Sequence, residues 1–352
     1  MEIRNVRSSL QMEQLADTDP IQSRRQFIQV AARIGAVGVT FSVLPARAQT
    51  PSNVTRIAFV SPGPRPAPDQ PVPMQKAFQE GLRALGRIEG EAFVLESRFA
   101  EGKFERIPEF VAELVRLEVK AIFALGSQAA AIVKRETTIP LVMIGDPVGT
   151  KLAASADRPG GTVTGLASVS PEICGKRLQL LKDVEPGLTR AAIVANPDHP
   201  ATPGVARMTQ TAAEAMRIEL VRVDVRAEKD IESAFETMIK GGVRAFVFYP
   251  VPMQDARTSQ VAEAAIQRQL RWLDEIPRTA TLGALLGYGP DYPDLSRRAA
   301  GYVSEILKGA SPADLPIGVP TKFELVANLR TAKALGVTFP PSVLSEATNV
   351  IR

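Results

Sequence analysis

Ala121-Ile122-Phe123-Ala124-Leu125-Gly126-Ser127-Gln128-Ala129-Ala130-Ala131-Ile132-Val133-Lys134-Arg135 is the stretch on which the fold turns. The unbroken apolar run Ala121 to Leu125 predicts a strand buried on both faces, as in a parallel sheet. Gly126-Ser127 ends it, and the alanine-rich run Gln128 to Arg135 predicts a helix. The same unit recurs on either side. Downstream, Pro140 to Ile144 is apolar and runs into Gly145-Asp146-Pro147. Upstream lie a helix from Ile107 to Leu117, whose Phe110, Val111, Leu114 and Leu117 recur at three and four, a strand from Phe93 to Arg98, and a helix from Met74 to Leu85. The first strand, Arg56 to Val60, ends in Ser61-Pro62-Gly63. Short strands alternating with amphipathic helices mark an α/β fold, a doubly wound parallel sheet covered on both faces.

The glycine-rich passage from Pro159 to Gly165 separates this unit from a second of the same kind. A helix from Pro171 to Val184 leads to a strand from Ala191 to Ala195 and the turn Asn196-Pro197. Next come a helix from Val205 to Arg217, a strand from Leu220 to Val225, a helix from Ile231 to Lys240, and a strand from Ala245 to Phe248 before Tyr249-Pro250. Beyond Leu282 there is one strand-like run (Ala284 to Tyr288), one helix (Asp291 to Leu307) and a tail (Phe323 to Ile351), too little for a third domain. Their economical use is to complete the two earlier sheets. The reading is two doubly wound parallel-sheet lobes, residues 49–168 plus 286–309 and residues 169–285 plus 310–352, joined by a multi-crossing hinge. Trp272, the single tryptophan, is expected near the last crossings.

Composition excludes whole reaction classes. The chain has 352 residues, 45% apolar and 23% charged, and its 42 basic against 38 acidic residues leave a net charge of only +4, no argument for nucleic acid. Cys174 is the only cysteine and His199 the only histidine. No Cys/His zinc cluster can form from them, and any Ser-His-Asp or Cys-His machinery would need His199. That residue lies in Asn196-Pro197-Asp198-His199-Pro200 and reads as a solvated loop histidine. Cys174 reads as a small buried apolar residue near a helix start, without a disulfide partner. No Walker A, GxGxxG after a strand, or GxSxG elbow occurs. No enzyme and no cofactor is expected.

The N-terminus reads as a targeting segment. Ser23-Arg24-Arg25-Gln26-Phe27-Ile28 precedes a weakly apolar stretch from Val30 to Leu44 and the A-x-A site Ala46-Arg47-Ala48. The arginine pair resembles a twin-arginine export signal over residues 1–48, with an ordinary Sec signal as the other possibility. With cleavage near Ala48 and no cysteine there to carry a lipid, the mature chain is expected free in the periplasm.

In an open α/β sheet, ligands bind beyond the carboxyl ends of the strands, where backbone N–H groups and helix N-termini face outward. Ser61, Gly126, Ser127, Asp146, Asn196, Tyr249 and Tyr288 stand at or near such ends and are the candidate ligand-binding residues. Gly126 and Ser127 at a helix start suit a carboxylate, while Asp146 suits an amine or hydroxyl or, equally, a local turn.

The chain resembles the periplasmic substrate-binding proteins of ABC transporters typified by the tryptophan/tyrosine-binding type. The matching stretches include Arg56 to Gly63, Ala77 to Arg83, Gly145-Asp146-Pro147-Val148-Gly149, Arg158 to Gly161 with Thr164-Gly165-Leu166, Gly175-Lys176-Arg177-Leu178, Asn196-Pro197 and Thr321 to Val326. The resemblance departs between Leu270 and Leu286, where the family's strand, short helix and Gly-Gly give way to a shortened segment around Arg271 to Pro277. It implies a type I periplasmic-binding fold. It further implies capture of a small solute, an amino acid or an aromatic or carboxylated metabolite, by hinge closure. The chain would act as a monomer that delivers its ligand to an inner-membrane ABC permease driven by a separate ATPase. The alternative is a periplasmic ligand sensor docking on a signalling receptor.

Overall fold

A computed structural model describes residues 54–67, 72–249 and 255–352. Residues 1–48, read above as an export signal, lie outside the described residues, as does Pro250.

The first lobe is built on a five-stranded sheet of order β2-β1-β3-β4-β5, all parallel, with β1 Thr55–Ser61, β2 Phe93–Phe99, β3 Ala121–Leu125, β4 Leu141–Gly145 and β5 Val163–Ala167. Alternation along β1 explains the two covered faces. Ile57 and Phe59 join one core with Phe78 and Leu82 of α1 (Pro73–Ala84). Ala58 and Val60 join the other with Val111 and Leu114 of α2 (Ile107–Arg116) and Ala129 and Val133 of α3 (Ser127–Glu136). Burying each such leucine, valine or phenylalanine contributes about 1.5–3 kcal/mol. The edge strand β5 begins within the passage expected only to separate the lobes. Gly165 makes it possible: at φ +141° and pressed against the Met143 backbone, it leaves no room for a Cβ.

The second lobe carries a seven-stranded sheet of order β12-β11-β10-β9-β8-β6-β7, parallel except between β10 and β11. Its strands are β6 Arg190–Ala195, β7 Glu219–Asp224, β8 Ala245–Phe248, β9 Arg271–Asp274, β10 Leu286–Pro290, β11 Phe323–Asn328 and β12 Asn349–Ile351. Helices α4 (Pro171–Val184) and α5 (Thr202–Ala215) cover one face; α6 (Ile231–Lys240) and α7 (Asp255–Gln267) cover the other. The segment expected to depart from the family pattern holds strand β9 and a 3-10 turn at Pro277–Leu282. Trp272 sits on β9 at 1% exposure, its ring 6.1 Å from that of Phe246 and nearly parallel to it. It is therefore a core residue and not a neighbour of the crossings, because alternation along β9 turns it toward α6 and α7.

The lobe boundaries differ from those expected. Residues 286–290 form β10 in the second sheet, since Gly287 and Gly289 lie so close to the backbone of Pro277 and Glu275 that no Cβ fits. The chain returns to the first lobe only at α8 (Tyr292–Leu307), whose Leu295, Ala299 and Val303 complete the core around Phe78. It then stays there through Gly318: the Ile317 N–H donates to the Ala156 carbonyl at 2.7 Å, and Gly318 exchanges backbone hydrogen bonds with β5.

The crossings are residues 168–170, residue 291 and residues 319–322. Two of them end in helix caps. The Ser170 side chain accepts from the Ile173 N–H at 3.3 Å, with Pro171 opening α4, and the Asp291 side chain accepts from the Asp294 N–H at 2.8 Å. The last is tied to its neighbour by the Lys322–Asp294 ion pair at 2.7 Å and by the Asp291 N–H donating to the Lys322 carbonyl. The remaining helices, α9 (Leu329–Ala334) and α10 (Pro341–Glu346), follow β11.

Candidate functional site

The carboxyl ends of β1, β3 and β4 gather Ser61, Gly126, Ser127 and Asp146. Gly126 precedes α3 with φ +84°, a left-handed conformation that glycine adopts without strain. Ser127, at the first position of that helix, accepts the Asp146 N–H through Oγ at 2.8 Å and so binds the ends of β3 and β4 together. Ser61 is buried, its Oγ accepting from the Gly63 N–H at 3.1 Å. Asp146 is 9% exposed. Its Oδ1 accepts from the Gly149 N–H at 2.8 Å, while Oδ2 is buried with no hydrogen-bond partner. Burial raises its carboxyl above the usual range, and the Gly149 N–H pulls in the opposite direction.

In the second lobe, Asn196 follows β6. Its Oδ1 accepts from the Asp198 N–H at 2.9 Å and its carbonyl from the Thr202 hydroxyl at 2.6 Å. This turn also holds His199, which is not solvated as expected. It is 9% exposed, and its Nδ1 accepts from the Ala201 N–H at 3.3 Å, so the ring proton resides on Nε2. Burial lowers its pKa to about 4. Asp198, next to it, takes the exposed place and pairs with Arg226.

Two sequence candidates stand elsewhere than at an open strand end. Tyr249 is 2% exposed with its ring in the core of the second lobe; its hydroxyl lies 3.0 Å from Thr209 Oγ1 and 3.5 Å from Cys174 Sγ. Cys174 is buried as expected, and burial pushes its thiol up. Tyr288, midway along β10, stacks its ring on Phe323 at 6.0 Å.

What sequence reasoning did not single out is a buried charged cluster beside the crossings. Arg177 is wholly buried on α4. Its Nε donates to the Tyr288 carbonyl at 3.0 Å, its guanidinium lies 5.2 Å from the centre of the Tyr249 ring, and Nη1 is 3.7 Å from Glu275 Oε2. Burial pushes Glu275 up to about 7 against the pull of Arg177, and pushes Asp274 up to about 6. Asp274 Oδ1 accepts from the Ile276 N–H at 2.8 Å. Tyr292, at the start of α8, hydrogen-bonds Ser168 of the first crossing and feels the Glu275 charge. A signal was available: Arg177 falls on the same helix face as Cys174, Leu178 and Leu181, and an arginine on an apolar stripe needs a buried partner.

Small and polar groups thus stand at the strand ends of two α/β lobes, beside a polar set of crossings, an arrangement that suits a ligand cleft. The chain belongs to the ABC transporter substrate binding protein family, whose sequence profile matches residues 69–351. That family is one of solute-binding proteins, not of enzymes, and the fold is of the type I periplasmic-binding kind. Among individual proteins, the chain is 23% identical over 267 residues to the tyrosine-binding protein of Clostridioides difficile (strain R20291), covering 74% of this chain and 76% of that one. Among solved structures, a conserved domain protein from Vibrio cholerae is 25% identical with a TM-score of 0.75, covering 84% of this chain and 99% of that one. An ABC domain from Streptococcus pneumonia, solved in complex with L-Trp, is 23% identical with a TM-score of 0.76, covering 85% and 100%.

Proposed function

We propose that this protein is the periplasmic solute-binding component of an ABC importer, capturing an amino acid or an aromatic or carboxylated metabolite between its lobes by hinge closure. The observation that carries the reading is family membership over residues 69–351, on a body of two α/β lobes linked only by short crossings. The amino-acid preference draws support from the tyrosine-binding relative and the L-Trp-bound neighbour. Ser61, Gly126, Ser127 and Asn196 are the proposed lining. The ligand's carboxylate meets the amide end of α3, where the helix dipole favours negative charge. Contacts from both lobes at once make the ligand favour the closed state by its differential affinity. The closed monomer then docks on an inner-membrane permease whose ATPase is a separate chain.

A thermal-shift screen of amino acids and aromatic acids on the mature protein tests the binding step. A ligand at 100 times its dissociation constant should add about 2.7 kcal/mol of stability. Silence across the whole panel would count against solute capture of this class. The hit should also lower the radius of gyration in solution scattering, and micromolar binding with no compaction would remove hinge closure from the reading.

Export rests on Arg24-Arg25 ahead of the weakly apolar stretch ending at Ala48. Changing both arginines to lysine should leave precursor in the cytoplasm if the twin-arginine route is used, whereas undiminished periplasmic yield would point to the Sec route.

A further inference from the structure

Helix α5 of the second lobe begins without a cap of its own. Its N-cap residue is Ala201, which has no side-chain acceptor, and its second position is Pro203, which has no N–H. Gly204, at the third position, carries one of the first-turn N–H groups that have no acceptor within the helix. Such a position is where a capping oxygen normally binds. The group that faces this place comes from the other lobe. Asp146 Oδ2, buried and without a hydrogen-bond partner, lies 3.3 Å from the point that a Cβ on Gly204 would occupy. Glycines flank the carboxylate on both sides: Gly149 of its own loop, which holds Oδ1, and Gly204 opposite. A side chain at Gly149 would displace it, and one at Gly204 would press on it.

The neighbouring contacts point the same way. Pro200, just ahead of the helix, lines a cavity of about 410 Å³ together with Phe104, Gln128, Ile132 and Arg135 of the first lobe. Pro200 and Gly204 are thus among the residues that the second lobe presents to the first.

We propose that Asp146 is an interlobe latch: its free carboxylate oxygen faces the N-terminus of α5 across the cleft, caps that helix as the lobes close, and so favours the closed arrangement before any solute arrives. The inference rests on the two-lobe closure reading but assigns Asp146 to the closing contact rather than to the ligand. A carboxylate and a helix N-terminus attract one another at every pH at which the carboxylate is ionised. The ligand-free protein therefore samples the closed arrangement, and a ligand binds a partly pre-organised cleft.

The test is a distance measurement on ligand-free mature protein carrying spin labels at two exposed positions, Arg116→Cys in the first lobe and Glu236→Cys in the second, with the buried Cys174 left in place. The latch predicts a short-distance population in the parent. Asp146→Ser and Gly204→Ala should each lower the ratio of closed to open by about tenfold, with the double variant no more open than either alone. Near-ultraviolet circular dichroism of each variant confirms that the lobes remain folded, and Asp146→Asn, which keeps the turn, provides a second variant with the charge removed. A parent with no short-distance population, or variants that keep it undiminished, would overturn the latch. Failure of solute capture shows separately in the thermal-shift screen, which leaves this ligand-free comparison intact.

Discussion

Replacing Arg177 by methionine is expected to destabilise the protein by about 3–5 kcal/mol at pH 7.5, the usual consequence of removing one partner of a buried ion pair. The guanidinium is wholly buried, and it serves the Tyr288 carbonyl, the Tyr249 ring and the Glu275 carboxylate together. Methionine fills the volume but leaves Glu275 without a counter-charge and one carbonyl without a donor. The sign with pH follows from Glu275, already pushed up to about 7 with the arginine present. A carboxyl whose folded pKa is raised contributes stability below its unfolded value that is lost as pH rises through the folded one. The deficit of the variant should therefore shrink toward pH 4.5, where Glu275 is neutral in the folded protein with or without the arginine, and grow above pH 7. Urea unfolding across this range measures it. Adding Glu275→Gln to the methionine variant should restore a large part of the loss. A deficit below about 1 kcal/mol at pH 7.5 would show that the cluster contributes little to the fold.

The second large effect comes from His199. Its ordinary pKa of 6.5 falls to about 4 in the folded protein because the neutral ring is buried. Between those values the unfolded chain takes up a proton that the folded chain refuses, so stability falls as pH drops from about 7.5 to about 4.5, by about 2–3 kcal/mol from this residue. Asp274 and Glu275, with raised pKa values, titrate in the opposite sense over the same interval. The measurement that isolates the histidine is thus the difference between the wild type and His199→Gln, each unfolded in urea at both pH values. The gap between the two proteins should change by about 2–3 kcal/mol across the interval, and a gap independent of pH would mean the ring is solvated after all.

What could be read from the sequence and what could not divides along physical lines. The strands of the first lobe and the helices packed on them were legible, because a strand buried on both faces is an unbroken apolar run and a helix against a sheet shows its period. β5 was not, since Gly165 in Val163–Ala167 looks like a turn residue until its pressure on Met143 is seen. β9 was hidden by Arg271 and Asp274 at the two ends of a short strand. Residues whose meaning lies in contacts distant along the chain were the hardest to place. His199 and Trp272 were both assigned from their neighbours in sequence, and both are buried. Of the candidate site, Ser61, Ser127, Asp146 and Asn196 stand at strand ends as expected, because that position depends on the local strand-to-helix unit alone. Tyr249 was misdirected by the same logic, as the fate of its ring depends on Thr209 and Arg177 in other elements.

The return of α8 to the first lobe has a bearing on the life of the chain before it reaches any ligand. Phe78 and Leu82 have no finished surroundings until Leu295, Ala299 and Val303 exist, and the edge of β5 waits for Gly318. During synthesis the ribosome therefore emits almost the whole polypeptide before its amino-terminal half can be complete. Contacts between such distant parts of a chain also form slowly. Any translocation route that demands a folded cargo must wait for this late helix, whereas a threading route must act ahead of it.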